Sequence, residues 1–205
     1  MQAIQLANHR LRAGSYPPRS ALLARFVRAM LCACAALVAI AASHAQAPAR
    51  EHEVKATLLF NFCHFVQWPE IAFASPDAPF VIAILGTDPF GPFLDELVAQ
   101  EKVRGRTITL LRTEAPERAS AAHLVYVSRS ELGRLDAVLA TLKGKPCLTI
   151  GEAGPADFAG RGGMIEFVSA RGSIKLRMNV DAVEAARLTV SAKLLRLAEV
   201  VGRTP

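Results

Sequence analysis

Apolar positions recur at intervals of three and four between Glu51 and Trp68, at Val54, Leu58, Phe62, Phe65 and Val66. This spacing predicts a helix with one apolar stripe, and Pro69 is expected to stop it. The period changes after the turn-rich stretch Ser75–Pro79. Phe80-Val81-Ile82-Ala83-Ile84-Leu85 is an unbroken apolar run bounded by Gly86, which predicts a strand buried on both faces. A helix is predicted from Asp88-Pro89 through Leu94, Leu97 and Val98, then strands at Thr107–Leu111 and Leu124–Val127. Ser130 is expected to cap a helix carrying Leu132, Leu135, Val138, Leu139 and Leu142, which ends at Lys143-Gly144-Lys145-Pro146. Cys147–Ile150 reads as a fourth strand. Met164–Val168 and Ile174–Met178 read as a hairpin, Asn179–Ala186 as a short helix, and Ser191 as the cap of a last helix reaching Val201.

Alternation of strands and helices implies a parallel sheet covered on both sides. The expectation is an α/β single domain. It has a central, mostly parallel sheet of five to six strands, helices on both faces, and a C-terminal β-hairpin plus helix. No internal repeat or low-complexity tract interrupts it.

The N-terminal segment stands apart. Residues 29–42 are almost wholly Ala, Leu, Val, Ile, Met and Cys, a run too short to span a bilayer and of the right length for the apolar core of a secretion signal. Arg19, Arg25 and Arg28 precede it and Ser43-His44-Ala45 follows, so cleavage is expected after Ala45, with Ala47 as second choice. The domains are therefore read as a signal peptide over 1–45 and a periplasmic domain over 46–205. A retained anchor is the alternative.

Export changes the reading of charge. Five of the 24 basic residues and none of the 18 acidic ones lie in residues 1–45, leaving the exported part with 19 against 18. No concentrated basic character remains to argue for nucleic acid. Cys32 and Cys34 leave with the leader, while Cys63 and Cys147 stay in a compartment that favours disulfides. They can form one intramolecular bridge or remain two buried thiols.

Catalytic chemistry has little support in the pattern. His52, His64 and His123 have no metal-ligand spacing and no metal or cofactor is assigned. His52 and His64 are read as solvated helix residues and His123 as a strand-edge residue. Cys63 and His64 are adjacent on a helix, so their side chains diverge by about 100°. Gly160-Arg161-Gly162-Gly163 precedes a strand, not a helix, and reads as a tight turn. Gly86-Thr87-Asp88 lies where open α/β sheets bind ligands, with no phosphate motif beside it. No catalytic residue is assigned, and the chain is not read as an enzyme.

The polar side of the first helix carries Glu53, Thr57, Phe60, His64 and Gln67. A large aromatic among polar residues suggests either a protein-contact patch or a second packed layer. Phe60, His64 and Gln67 are the candidate partner-binding residues.

Several ordered stretches resemble the YfiR/HmsC family of periplasmic proteins. They are Val54-Lys55-Ala56, Phe62 and Phe65 to Trp68-Pro69, Ile84 to Phe90, His123 to Ser128, Leu148 to Gly151, Gly162 to Ile165, Asn179-Val180 and Ser191 to Ala198. The resemblance implies an α/β fold, a homodimer, and a protein that binds the periplasmic sensor region of an inner-membrane diguanylate cyclase and restrains it, lowering cyclic-di-GMP and biofilm formation. It also implies that an outer-membrane lipoprotein can sequester the restrainer and that reduction can inactivate it. Members often carry a cysteine before the histidine of the third strand; this chain has Ala122 there, and Cys63–Cys147 is the one bridge left to take that part. A module that binds a small ligand and feeds a membrane sensor or transporter is the alternative function.

Overall fold

Strand formation in this chain follows from which segments can be buried on both faces. The computed structural model describes residues 50–154, 157–170 and 173–202; the signal segment read at 1–45 lies outside them. The strand Phe80–Leu85 (β2) is an interior strand, third from one edge, of an eight-stranded sheet, with Ile82, Ala83, Ile84 and Leu85 all buried. Its side chains alternate between two apolar clusters on opposite sides. Ile82 and Ile84 join one cluster, and Ala83 and Leu85 the other.

β2 is flanked in parallel by Arg106–Thr113 (β4) and Leu124–Val127 (β5). Leu148–Glu152 (β6) and Ile165–Ala170 (β7) continue the parallel array beyond β5. Ser173–Asn179 (β8) then pairs antiparallel with β7 as the expected hairpin. Lys102–Val103 (β3) adds an antiparallel edge to β4, and Ala198–Val201 (β10) a parallel edge to β8. The sheet is mostly parallel, as expected, but has eight strands instead of five or six. The extra ones are short edge strands with no long apolar run to betray them. Val66–Gln67 (β1) and Thr189–Val190 (β9) form a separate antiparallel pair.

Helices cover both faces. The first helix (α1, residues 50–65), Pro92–Val98 (α2), Val180–Ala185 (α5) and Ala192–Leu197 (α6) contribute to the first cluster through Leu59, Phe62, Leu94, Val183 and Leu194. Pro116–Ala119 (α3) and Leu135–Leu142 (α4) supply Ala119, Leu135, Val138, Leu139 and Leu142 to the second. Burying a Leu or Phe side chain in either cluster stabilises the fold by about 1.5–3 kcal/mol.

Four local expectations are corrected. α1 ends at residue 65, before Pro69, because Val66 and Gln67 leave the helix to pair with Val190 and Thr189. Ser130 does not cap α4: a 3₁₀ stretch, Arg129–Arg134, precedes that helix, and the Ser130 hydroxyl accepts the Thr87 N–H at 3.0 Å instead. The last helix stops at Leu197, where β8 offers an open edge that Ala198–Val201 fill. Ser191 does cap it, accepting the Leu194 N–H. His123 is no strand-edge residue but is buried, 5% exposed, between Phe73 and Phe80.

One glycine of β6 and one of the turn before β7 make room for one ring. Phe158 is fully buried, and a Cβ on either Gly151 or Gly163 would overlap it. The same turn is tied down by Glu166, fully buried on β7, which accepts the Phe158 N–H at 2.9 Å and pairs with Arg177, its cross-strand neighbour, at 2.6 Å. Arg161 of the Gly160–Gly163 stretch bonds Asp136 of α4, as befits a turn and not a phosphate cradle.

Candidate functional site

Counted in chain order, the five parallel strands lie second, first, third, fourth, fifth across the sheet. The order reverses between β2 and β5, and the crevice outside the C-terminal ends of those strands is where such sheets bind ligands. Here it is closed by the chain's own groups. Gly86 approaches the Ser130 and Glu131 side chains so closely that a Cβ would collide with them. Asp88 accepts the Phe90 N–H at 2.7 Å and pairs with Arg112, which also grips Asp95. The Gly86 and Thr87 N–H groups and the Asp88 carboxylate are thus committed to internal bonds, to Thr113 O, Ser130 and Arg112.

Beside this point lies a buried charged cluster. Lys55 of α1 is 1% exposed, and its ammonium reaches Glu152 Oε1 at 3.1 Å and Glu51 Oε1 at 2.6 Å. Tyr126 on β5 donates to Glu152 Oε1 at 2.6 Å, and Arg129 Nε donates to Glu152 Oε2 at 2.8 Å. Ser169 on β7 donates to Glu51. Burial by itself would raise the Glu152 carboxyl, but the hydrogen bonds from Tyr126 and Lys55, with the charges of Lys55 and Arg129, outweigh it and leave it below the ordinary carboxylate range. Hydrogen bonds from Lys55 and Ser169 lower the Glu51 carboxyl as well. Tyr126 is pushed upward, chiefly by burial and then by the Glu152 charge, and stays a neutral donor. The cluster fastens the N-terminal half of α1 to the ends of β5, β6 and β7.

That anchor corrects the expected stripe on α1. The buried residues are Lys55, Ala56, Leu59, Phe62, Cys63 and Val66, whereas Val54 is 50% exposed. The inward face is rotated by about one residue, because Lys55 finds a carboxylate at the end of β6. Ala56, Leu59, Phe62, Cys63 and Val66 recur at helical spacing and mark this face; only the inclusion of Lys55 in it escapes a periodicity count that scores lysine as polar.

The outward face of α1 carries Glu53, Thr57, Phe60 and His64 as the sequence placed them, whereas Gln67 lies beyond the helix, on β1, paired with Thr189. Glu53, Thr57, His64 and Gln67 are exposed and Phe60 is half-buried. Phe60 lies edge-on to His64, with ring centroids 5.0 Å apart, while also packing against the first apolar cluster. Phe60 is therefore at least partly a packed residue, the second of its two expected roles. His64 is exposed at the C-terminal end of that face with its ring against Phe60, and Gln67 is exposed on β1 with its backbone paired with Thr189.

Among the described residues the two cysteines, Cys63 and Cys147, are not bridged. Both are free and buried. Cys63 belongs to the apolar cluster under α1 and Cys147 to the cluster under α3 and α4, on opposite sides of the sheet. The fully covered strand layer separates them, which corrects the Cys63–Cys147 pairing. Burial raises both thiols, that of Cys147 to about 12.

Among the described residues no three His, Cys, Asp or Glu side chains group as a metal site would require, and no helix is long and apolar enough to cross a membrane.

These features define a doubly wound α/β domain whose ligand crevice is filled by its own side chains and whose first helix offers an exposed face. The chain belongs to the YfiR/HmsC-like family, whose model matches residues 52–199. No curated protein matches it. Two solved structures share weak likeness. One is an ABC domain in complex with L-Trp from Streptococcus pneumonia, 11% identical with a TM-score of 0.44, covering 60% of this chain and 55% of that one. The other is a conserved domain protein from Vibrio cholerae O1 biovar eltor str. N16961, 12% identical with a TM-score of 0.44, covering 59% of this chain and 54% of that one. The chain thus spans about half the length of each, and at those scores neither likeness informs function.

Proposed function

We propose that this protein is a periplasmic regulator that binds the periplasmic sensor region of an inner-membrane diguanylate cyclase and restrains it, lowering cyclic-di-GMP output. The observation that carries the reading is family membership over residues 52–199, nearly the whole described domain. The exposed face of α1 supports it with a surface: Phe60 and His64 form an aromatic pair, with the exposed Gln67 just beyond the helix on β1, and aromatic groups on an exposed face are enriched where proteins meet. The reading assigns the chain no catalysis.

Export completes the proposal. Residues 1–45 act as a cleavable signal and residues 46–205 as the working domain. A second copy of the chain and an outer-membrane lipoprotein are the further partners that the family pattern suggests. N-terminal sequencing of the protein recovered from periplasm tests the first statement, with Gln46 as the expected first residue and an intact Met1 as the refutation.

The partner is tested by affinity capture from detergent-solubilised membranes, comparing the wild-type protein with His64→Glu and Gln67→Glu. Recovery of a membrane diguanylate cyclase by the wild type, reduced by both variants, is expected. Recovery of no cyclase overturns the function, and undiminished recovery by both variants moves the contact off α1.

A further inference from the structure

A cavity of about 200 Å³ opens at the end of the sheet opposite the closed crevice, between the starts of β2 and β4. It is lined by Trp68, Phe73, Phe80 and Val103, with Glu70, Arg104 and Arg106 also at its walls. The apolar walls are rigidly held. Trp68 and Phe80 meet edge to face with centroids 4.8 Å apart, and the Trp68 indole N–H donates to the His123 carbonyl at 2.8 Å. Phe73 and Phe80 stack on the buried His123 ring, with centroids at 4.3 Å and 4.9 Å.

The two arginines are held by backbone carbonyls. Arg106 lies 4.0 Å from the Phe73 ring centroid and donates through one nitrogen to Ser75 O and Ala78 O. Arg104 donates to Val66 O at 3.3 Å from a left-handed backbone position, φ 52°. Among the described residues neither guanidinium pairs with a carboxylate, and five-donor guanidinium groups so placed retain unused N–H donors. Against them stands one exposed acid, Glu70. An apolar cavity of about 150 Å³ holds one benzene ring, so this one has room for a ring and a short acidic arm. Pockets of this make-up, apolar walls with a few fixed polar groups, are where small molecules bind.

We propose that this cavity is a binding site for a small organic anion, with its flat apolar body against Trp68, Phe73 and Phe80 and its carboxylate against Arg104 and Arg106. The site is distinct from the α1 face, and its occupation does not depend on the regulatory reading.

Trp68 is the single tryptophan of the chain, so its emission reports on this cavity alone. The test titrates the purified protein with phenylacetate, and in parallel with phenylacetamide, which has the same shape without the charge. A saturable change in Trp68 emission by phenylacetate is expected, with a Kd on the order of 1 mM or tighter, and binding of the amide about tenfold weaker. Arg104→Asn, a replacement that tolerates the left-handed backbone, is expected to weaken phenylacetate by a similar factor while leaving the melting temperature unchanged. A change in emission that never saturates overturns the site. Equal affinity for acid and amide, or wild-type affinity in Arg104→Asn, overturns the assignment of an anion.

Discussion

The Val81 backbone N–H donates to His123 Nδ1 at 2.9 Å, so that nitrogen carries no proton in the folded protein. The other ring nitrogen, Nε2, lies 3.1 Å from Ala72 O and supplies the proton of that bond. One neutral imidazole thus joins β2 to the loop that follows Pro69. Burial lowers the His123 pKa below its ordinary 6.5, and the nearby Arg106 charge adds to the effect.

Because the unfolded chain binds the His123 proton more readily, the stabilisation is complete above pH 6.5 and declines as pH falls toward the depressed folded value. The expected outcome is a stability that decreases from about pH 6.5 downward, and a shallower decrease in that window for His123→Gln. Urea titrations at a series of pH values measure both slopes, and equal slopes would remove His123 from the account.

The cluster around Lys55 acts lower on the pH scale. Glu51 and Glu152 are both held below their ordinary 4.5, so their contribution is present above that value and is lost as pH falls through the folded values. Lys55→Met leaves Glu152 buried with only Tyr126 and Arg129, and is expected to cost about 3 kcal/mol in chemical denaturation at neutral pH. Adding Glu152→Gln removes the stranded charge and is expected to restore most of the loss. A double variant as unstable as the single one would show that packing, not charge, dominates at this place.

Cys63 and Cys147 should respond to chemistry only when the fold opens. Thiol alkylation followed by peptide mapping is expected to modify neither residue in buffer and both in denaturant without reductant. The melting temperature should not change on adding dithiothreitol. A reductant-sensitive melting temperature would require a bridge on one of these cysteines and contradict their separation by the sheet.

Gly163→Ala tests the turn before β7. The new methyl group must displace the Phe158 ring, which has no free space, and a loss of about 1–3 kcal/mol is expected. Combining it with Phe158→Leu should cost less than the two single changes added together, since both act on one volume. Strict additivity in urea unfolding would disprove the overlap.

On α1 the two aromatic neighbours should behave differently. Phe60→Ala is expected to lower stability by about 1–2 kcal/mol, since its ring is half-buried against the apolar cluster. His64→Ala, fully on the surface, should change it by less than about 0.5 kcal/mol. Equal losses would place His64 in the core.

What could be read from sequence divides along physical lines. β2 and β5 were legible because they are apolar on both faces, and only the interior of a covered sheet asks for that. The hairpin β7–β8 and the cap Ser191 were legible from local chemistry alone, and the Ser191 side chain does accept an N–H of the following turn; Asn179, read only as the start of a short helix, is its cap as well. The misses are tertiary. β1, β9 and β3 are two residues long and exist only because a partner backbone lies alongside. Residues 198–201 keep a helical pattern yet extend, since β8 has an unfilled edge. The burial of Lys55 was hidden because lysine is scored as a surface residue, and its acidic partner lies nearly a hundred positions away at Glu152. The candidate surface was readable in part: His64 stands where helical geometry puts it, Gln67 leaves the helix for β1, and the half-burial of Phe60 needed the packing.

The burial of Lys55 also sets the angular setting of its helix. Turned by one residue in either direction, α1 would bring Val54 or Ala56 over Glu152 and leave a carboxylate deep in the protein without its cation. The ion pair is a keyway: it admits a single rotational fit of that helix on the sheet, and so dictates which side chains the molecule shows to its surroundings.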